Sequence, residues 1–155
     1  MVSVVVVGAE MSGKTTLCHR LLGFKEPQQH LKTQSCYYLS AFVNNQEWHV
    51  WDTPALASRS DIEAGWSGES VLREANVVVV CHDGRYNYNP MELVEACGKN
   101  RAVIALTNGQ NAAFDLSYML PYLQTSCCYS TMLVPRASDL NMLIFMIAAI
   151  GSRCC

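Results

Sequence analysis

Apolar residues in this chain fall into short, dense runs separated by polar stretches. Val2 to Val7 is apolar and β-branched at nearly every position and reads as a buried strand. Leu17 to Leu22 reads as a helix. Cys36 to Val43 and Trp48 to Trp51 flank Asn44-Asn45-Gln46-Glu47, the pattern of a hairpin around an Asn-rich turn. Asn76 to Cys81, Arg101 to Thr107 and Cys127 to Val134 supply three further strands, each preceded by a helical or loop crossing. A last helix is predicted over Asp139 to Ile150, with a single Asn and otherwise apolar residues on every side after its first position. Strands alternating with crossings predict an α/β fold: a mostly parallel six-stranded sheet with helices on both faces and one antiparallel hairpin at its edge.

Composition narrows this picture. The chain has 155 residues, half of them hydrophobic, which suits one domain with a sizeable core over residues 1–151 and a short tail over 152–155. No repeat, low-complexity tract or linker divides it. With a formal net charge of -2 and scattered basic residues, nucleic acid is not expected as a partner. There are eight cysteines, but Met1 leads directly into a core strand without a signal peptide, so a reducing, cytoplasmic setting is expected. Cys18, Cys36, Cys81 and Cys97 sit in apolar segments as small hydrophobes, and Cys127-Cys128 lacks the CxxC spacing of a zinc site. The apolar run from Met142 to Ile150 is far shorter than the roughly 20 residues of a membrane helix.

The chemistry is concentrated in Gly8-Ala9-Glu10-Met11-Ser12-Gly13-Lys14-Thr15, followed by Thr16. Two glycines with four residues between them, then Lys and a hydroxyl residue, form a phosphate-binding loop. Backbone N–H groups curl around the anion, the lysine reaches the terminal phosphates, and the hydroxyl holds Mg²⁺. Strand, loop and helix fall in the order that puts phosphates at a helix N-terminus. Asp52, at the end of the strand Trp48-His49-Val50-Trp51, is placed to hold Mg²⁺ through water, or else it begins a turn before Pro54.

On these residues the chain resembles the Ras superfamily of small GTP-binding proteins over nearly its whole length. The resemblance rests on the phosphate loop, on Trp51-Asp52-Thr53 in place of Trp-Asp-Thr-Ala-Gly, and on the number and order of elements. It implies a P-loop G-domain, a bound guanine nucleotide (GTP or GDP) and Mg²⁺. The stretch from Lys32-Thr33 to Trp51-Asp52 aligns with the Arf branch without a gap. This makes Thr33 the candidate threonine that closes over the γ-phosphate and Mg²⁺, so that Thr15, Thr33 and Asp52 would form the metal set.

Departures from that family are informative. Ala55 stands where the family has the glycine that meets the γ-phosphate, and Leu56 stands where it has the glutamine that orients the attacking water. Glu10 places an anionic side chain beside the γ-phosphate position. Together these changes imply weak or absent hydrolysis. In the base-recognition loop, Asn108-Gly109-Gln110-Asn111 replaces Asn-Lys-x-Asp. Asn108 and Asn111 are the base-binding candidates, and an amide at 111 accepts only one of guanine's two hydrogen bonds, so guanine selectivity should fall.

The resemblance further implies effector or regulatory proteins acting through the switch segments around Thr33, Ala55 and Leu56. Trp66, in a predicted mobile segment from Ser58 to Gly68, is either a partner anchor or part of a satellite core. The ending Cys154-Cys155 looks like the doubly prenylated end of Rab proteins, which would attach the chain peripherally to the cytoplasmic face of a membrane, although almost no tail precedes it. Three functions are compatible with the sequence: a slow GTP-binding switch in signalling or trafficking, a pseudo-GTPase interaction module, and a small nucleoside or nucleotide kinase. The kinase lacks a lid-like arginine cluster.

Overall fold

The computed structural model describes residues 1–25, 33–83, 90–107 and 140–153. Within them, β1 (Val2–Gly8), β2 (Tyr37–Val43), β3 (Gln46–Asp52), β4 (Val77–His82) and β5 (Ala102–Leu106) form one sheet in the order β2-β3-β1-β4-β5. β1 pairs in parallel with both β3 and β4, β4 pairs in parallel with β5, and only β2 runs antiparallel, against β3. The helices are α1 (Lys14–Leu21), α2 (Arg59–Glu63), α3 (Glu69–Glu74), α4 (Pro90–Cys97) and α5 (Leu140–Arg153). The expected sixth strand over Cys127 to Val134 lies outside the described residues.

The apolar run of β1, interrupted by the half-buried Ser3, follows from its central place. Val2, Val4 and Val6 enter one core with Leu17 and Leu21 of α1 and Leu143 and Ile147 of α5. Val5 and Val7 enter a second core with Leu72 of α3 and Leu93 and Val94 of α4. A strand covered on both faces favours apolar side chains at nearly every position, so alternation disappears.

Two details of the hairpin and one of the next segment differ from expectation. The turn is only Asn44-Asn45, both at positive φ (50° and 64°), and Val43 pairs with Gln46, so Gln46 and Glu47 belong to β3. This is the two-residue turn whose twist matches antiparallel strands. The segment from Ser58 to Gly68, expected to be mobile, carries α2, whose start is held by the Asp61 carboxylate accepting from the N–H groups of Ala57 (2.9 Å) and Ser58 (3.2 Å). Trp66 packs against the second core and donates its indole N–H to the Pro54 carbonyl (3.3 Å), which is the satellite-core reading.

The last helix extends to Arg153, past its expected end at Ile150 and into the segment read as a tail. It buries Leu143, Met146, Ile147 and Ile150, while Met142 and Phe145 are 61% and 73% exposed. Tyr37, Tyr38 and Phe42 are exposed along the sheet edge formed by β2.

Buried thiols give this core a pH dependence. Burial pushes Cys97 up to about 11, against the opposing pull of Arg101, and pushes Cys81 up to about 12. In the unfolded chain both ionise near their ordinary 9.0, so the folded state holds its protons longer. This contribution is fully present below about pH 9 and is lost as pH rises toward about 11 to 12. At about pH 10.5, Cys97 alone should cost about 2 kcal/mol. Urea midpoints at about pH 8 and 10.5 test this: Cys97→Ala should show the smaller decline, and equal declines in variant and wild type would acquit the thiol.

Candidate functional site

β1 delivers the chain to Gly8, which pairs with Cys81 of β4 at the carboxyl end of the sheet. At Gly8 φ is 153°, and a Cβ there would lie 2.7 Å from the Cys81 carbonyl oxygen. Glycine is therefore required where the loop leaves the strand. Met11 (φ 60°) and Gly13 (φ 89°) bend the loop through left-handed conformations, and α1 begins at the next residue, Lys14. The first N–H groups of α1 lack intrahelical acceptors, so the loop closes on an anion-attracting end.

Lys14 is nearly buried, and its Nζ donates to the Ala9 carbonyl at 2.9 Å. Burial holds its pKa below the ordinary lysine value, while the neighbouring Cys81 and Asp52 side chains pull the other way. Thr15 Oγ1 donates to Asp52 Oδ2 at 2.6 Å and lies 3.3 Å from Thr33 Oγ1. Burial raises the Asp52 pKa, opposed first by that threonine bond and then by the charges of Lys14 and His19. Asp52 Oδ1 is buried with no hydrogen-bond partner among the described residues. Three hard oxygen groups thus meet at one point, with one carboxylate oxygen unsatisfied. That donor set suits a hard divalent cation such as Mg²⁺.

β3 is fastened to β1 directly behind this cluster. Thr53 donates its hydroxyl to the Val6 carbonyl (2.7 Å), and the Leu56 N–H donates to the Gly8 carbonyl (2.8 Å). The resulting cleft, of about 690 Å³, is lined by the loop from Glu10 to Thr16 together with Thr33, Asp52 and Ala55. Gly8 and Ala9 form the loop's entry behind that lining.

Leu56 does not line the cleft. It is fully buried in the second core beside Val5, Val7 and Leu72. Its backbone tether to Gly8 fixes the local chain direction, and an apolar side chain gains roughly 1.5–3 kcal/mol by turning inward. The position expected to face the phosphates is thus part of the core, and Ala55 is the residue of this pair that faces them. Asn108 and Asn111 of the base loop, and the terminal Cys154 and Cys155, lie outside the described residues.

Sequence reasoning missed three cleft residues: His19, Tyr37 and Leu39. His19 Nδ1 lies 2.8 Å from the Thr15 carbonyl, which can only accept, so this nitrogen carries the proton. The signal was available in the i, i+4 spacing of Thr15 and His19 on α1. Tyr37 and Leu39 come from β2, and no local pattern ties them to the loop.

A phosphate loop at a strand end, a buried carboxylate facing its threonine and a parallel sheet behind them define a P-loop nucleotide-binding domain of the GTPase type. The family model described as 50S ribosome-binding GTPase matches residues 3–108, and the chain belongs to that family. It is therefore a GTP-binding P-loop GTPase domain, with the G-domain architecture expected from its sequence. No curated protein matches the chain in sequence. Among solved structures it is similar to Era in complex with MgGDPNP and nucleotides 1506–1542 of 16S ribosomal RNA, with a TM-score of 0.66 and 20% identity. That match covers 96% of this chain and 56% of the Era chain, so this chain spans a little over half the length of that protein.

The expectation that nucleic acid plays no part is overturned by that complex: the same fold occurs in a protein bound to ribosomal RNA. A net charge of -2 averages over the whole surface and does not report where basic side chains meet a phosphate backbone. No helix among the described residues is long and apolar enough to cross a membrane.

Proposed function

We propose that this domain is a nucleotide-operated switch of Ras-like form that binds GTP or GDP with Mg²⁺ and hydrolyses GTP slowly or not at all. The observation that carries the reading is the meeting of Thr15, Thr33 and Asp52, with Asp52 Oδ1 buried and unsatisfied beside the phosphate loop. Mg²⁺ would be held there by the two threonine hydroxyls and, through water, by Asp52, and it would neutralise charge on the bridging phosphate oxygens. Lys14 would exchange the Ala9 carbonyl for the terminal phosphates. Thr33 would close over the γ-phosphate and Mg²⁺ in the triphosphate state, as a switch requires. Slow hydrolysis follows from the absence of a water-orienting side chain at Ala55 and Leu56. Asn108 and Asn111 would meet the base, with weak discrimination between guanine and xanthine. Residues 1–151 act as one unit in this reading. The family description and the RNA-bound Era complex make ribosomal RNA the first macromolecule to test against the GTP-loaded protein.

Calorimetric titration with GTP, GDP, XTP and ATP, with and without Mg²⁺, tests the assignment. GTP and GDP should bind in a Mg²⁺-dependent way, XTP should follow within about tenfold, and single-turnover hydrolysis should be slower than about 10⁻⁴ per second, below the intrinsic rate of an ordinary small GTPase. Failure of all four nucleotides to bind would make this an interaction module that has kept only the fold. Turnover at the rate of an efficient GTPase would show that another group positions the water.

A further inference from the structure

At the far end of β5, Thr107 reaches across to the phosphate loop. Its hydroxyl donates to the Ser12 carbonyl. Its own N–H is fixed by the His82 carbonyl (2.9 Å), which continues the β4–β5 ladder one step past Leu106. Its side chain also packs on the loop: a Cβ placed on Gly13 would lie 3.2 Å from Thr107 Cβ. Thr107 therefore holds the Ser12–Gly13 peptide by the oxygen and by the flank.

The consequence follows from peptide geometry. A trans peptide is planar, and its C=O and N–H point in opposite directions. With the Ser12 oxygen turned toward Thr107, the Gly13 N–H is turned the opposite way, into the cleft that Gly13 lines. Three further loop carbonyls are also held: Gly8 by the Leu56 N–H, Ala9 by the Ser12 N–H and Lys14, and Gly13 by the Leu17 N–H. With these oxygens engaged, the peptides that follow Gly8, Ala9, Ser12 and Gly13 cannot readily invert and present a carbonyl to an anion.

We propose that Thr107 is a positioning residue for phosphate binding, locking the Ser12–Gly13 peptide so that its N–H faces the anion. It lies outside the cleft lining and acts through Gly13, which belongs to it. This inference deepens the nucleotide-binding reading and rests on it.

Two substitutions separate the lock from simple packing. Thr107→Val keeps the methyl group and replaces the hydroxyl with a second methyl, whereas Thr107→Ser keeps the hydroxyl and loses the methyl. The lock predicts GDP affinity about tenfold weaker in Thr107→Val, within about threefold of wild type in Thr107→Ser, and a displaced ³¹P resonance of the bound β-phosphate in Thr107→Val only. The reverse order, with Ser weak and Val normal, would make Thr107 a packing residue and overturn the proposal. So would equal affinity and an unshifted resonance in all three proteins. Should Thr107→Val fail to fold, Thr107→Ser alone still decides, because packing predicts weakened binding there and the lock does not. Inorganic tripolyphosphate serves as a second probe. If wild type binds it but no guanine nucleotide, the GTP reading falls while the same ranking of variants still tests the lock. If wild type binds neither, both are overturned.

Discussion

Lys14→Ala should weaken GTP and GDP binding by at least about 100-fold, because truncating a buried, charged hydrogen-bonding partner costs several kcal/mol. The ammonium is nearly buried and rests on a carbonyl of its own loop, so it is positioned before any phosphate arrives. Little conformational freedom remains to be lost on binding, and the desolvation that depresses its pKa has already occurred in folding. The fold should survive the change. The ammonium makes one hydrogen bond to Ala9, whose carbonyl also accepts from the Ser12 N–H at 3.2 Å. Fluorescent-GDP titration with parallel thermal melts checks both halves: affinity should collapse while the melting temperature moves by no more than about 5 °C. Affinity within about threefold of wild type would place the phosphates elsewhere.

Leu56→Gln, designed to restore the residue type found in active small GTPases, should instead destabilise the protein by about 3 kcal/mol or more without raising hydrolysis. The side chain at 56 lies in the second core with Val5, Val7 and Leu72, outside the cleft lining, while its N–H is bonded to the Gly8 carbonyl. An amide there would be buried in an apolar core. A fall in melting temperature of about 10 °C is expected for a domain of this size. Leu56→Met, of similar volume, should lose less than about 1.5 kcal/mol. If Leu56→Gln accelerated GTP hydrolysis, the segment after Asp52 would have to swing outward when nucleotide binds.

These two residues also show what a sequence can and cannot convey. Lys14 was legible because the phosphate loop is local: eight consecutive residues between one strand and one helix contain the whole arrangement. Leu56 was assigned to the cleft by position, but its direction is set by a hydrogen bond to Gly8, forty-eight residues earlier in the chain. The Ser58 to Gly68 segment was expected to be mobile, yet Asp61 and Trp66 hold it through contacts with no periodic signature. In the hairpin the Asn-rich turn was evident, while its length depended on Gln46 pairing with Val43 across the strands. Thr107 gave no signal at all, since a threonine after an apolar strand is ordinary until the Ser12 carbonyl is seen against it. The exclusion of nucleic acid failed for a different reason: net charge has no spatial resolution.

What the sequence determined by itself is the chemistry that depends on neighbours along the chain: the phosphate loop from Gly8 to Thr15, the doubly buried valine strand before it, and Asp52 at the end of β3. Backbone conformation and burial over a few residues are dictated by side-chain shape and polarity, so these features could be read directly. Tertiary structure alone decided which side chains face the cleft and which oxygens of the loop are held. It brought Thr33 to Thr15, turned Ala55 outward and Leu56 inward, and set Thr107 against Ser12. Those choices depend on hydrogen bonds and contacts between distant segments, whose geometry exists only once the sheet has paired and both of its faces are covered.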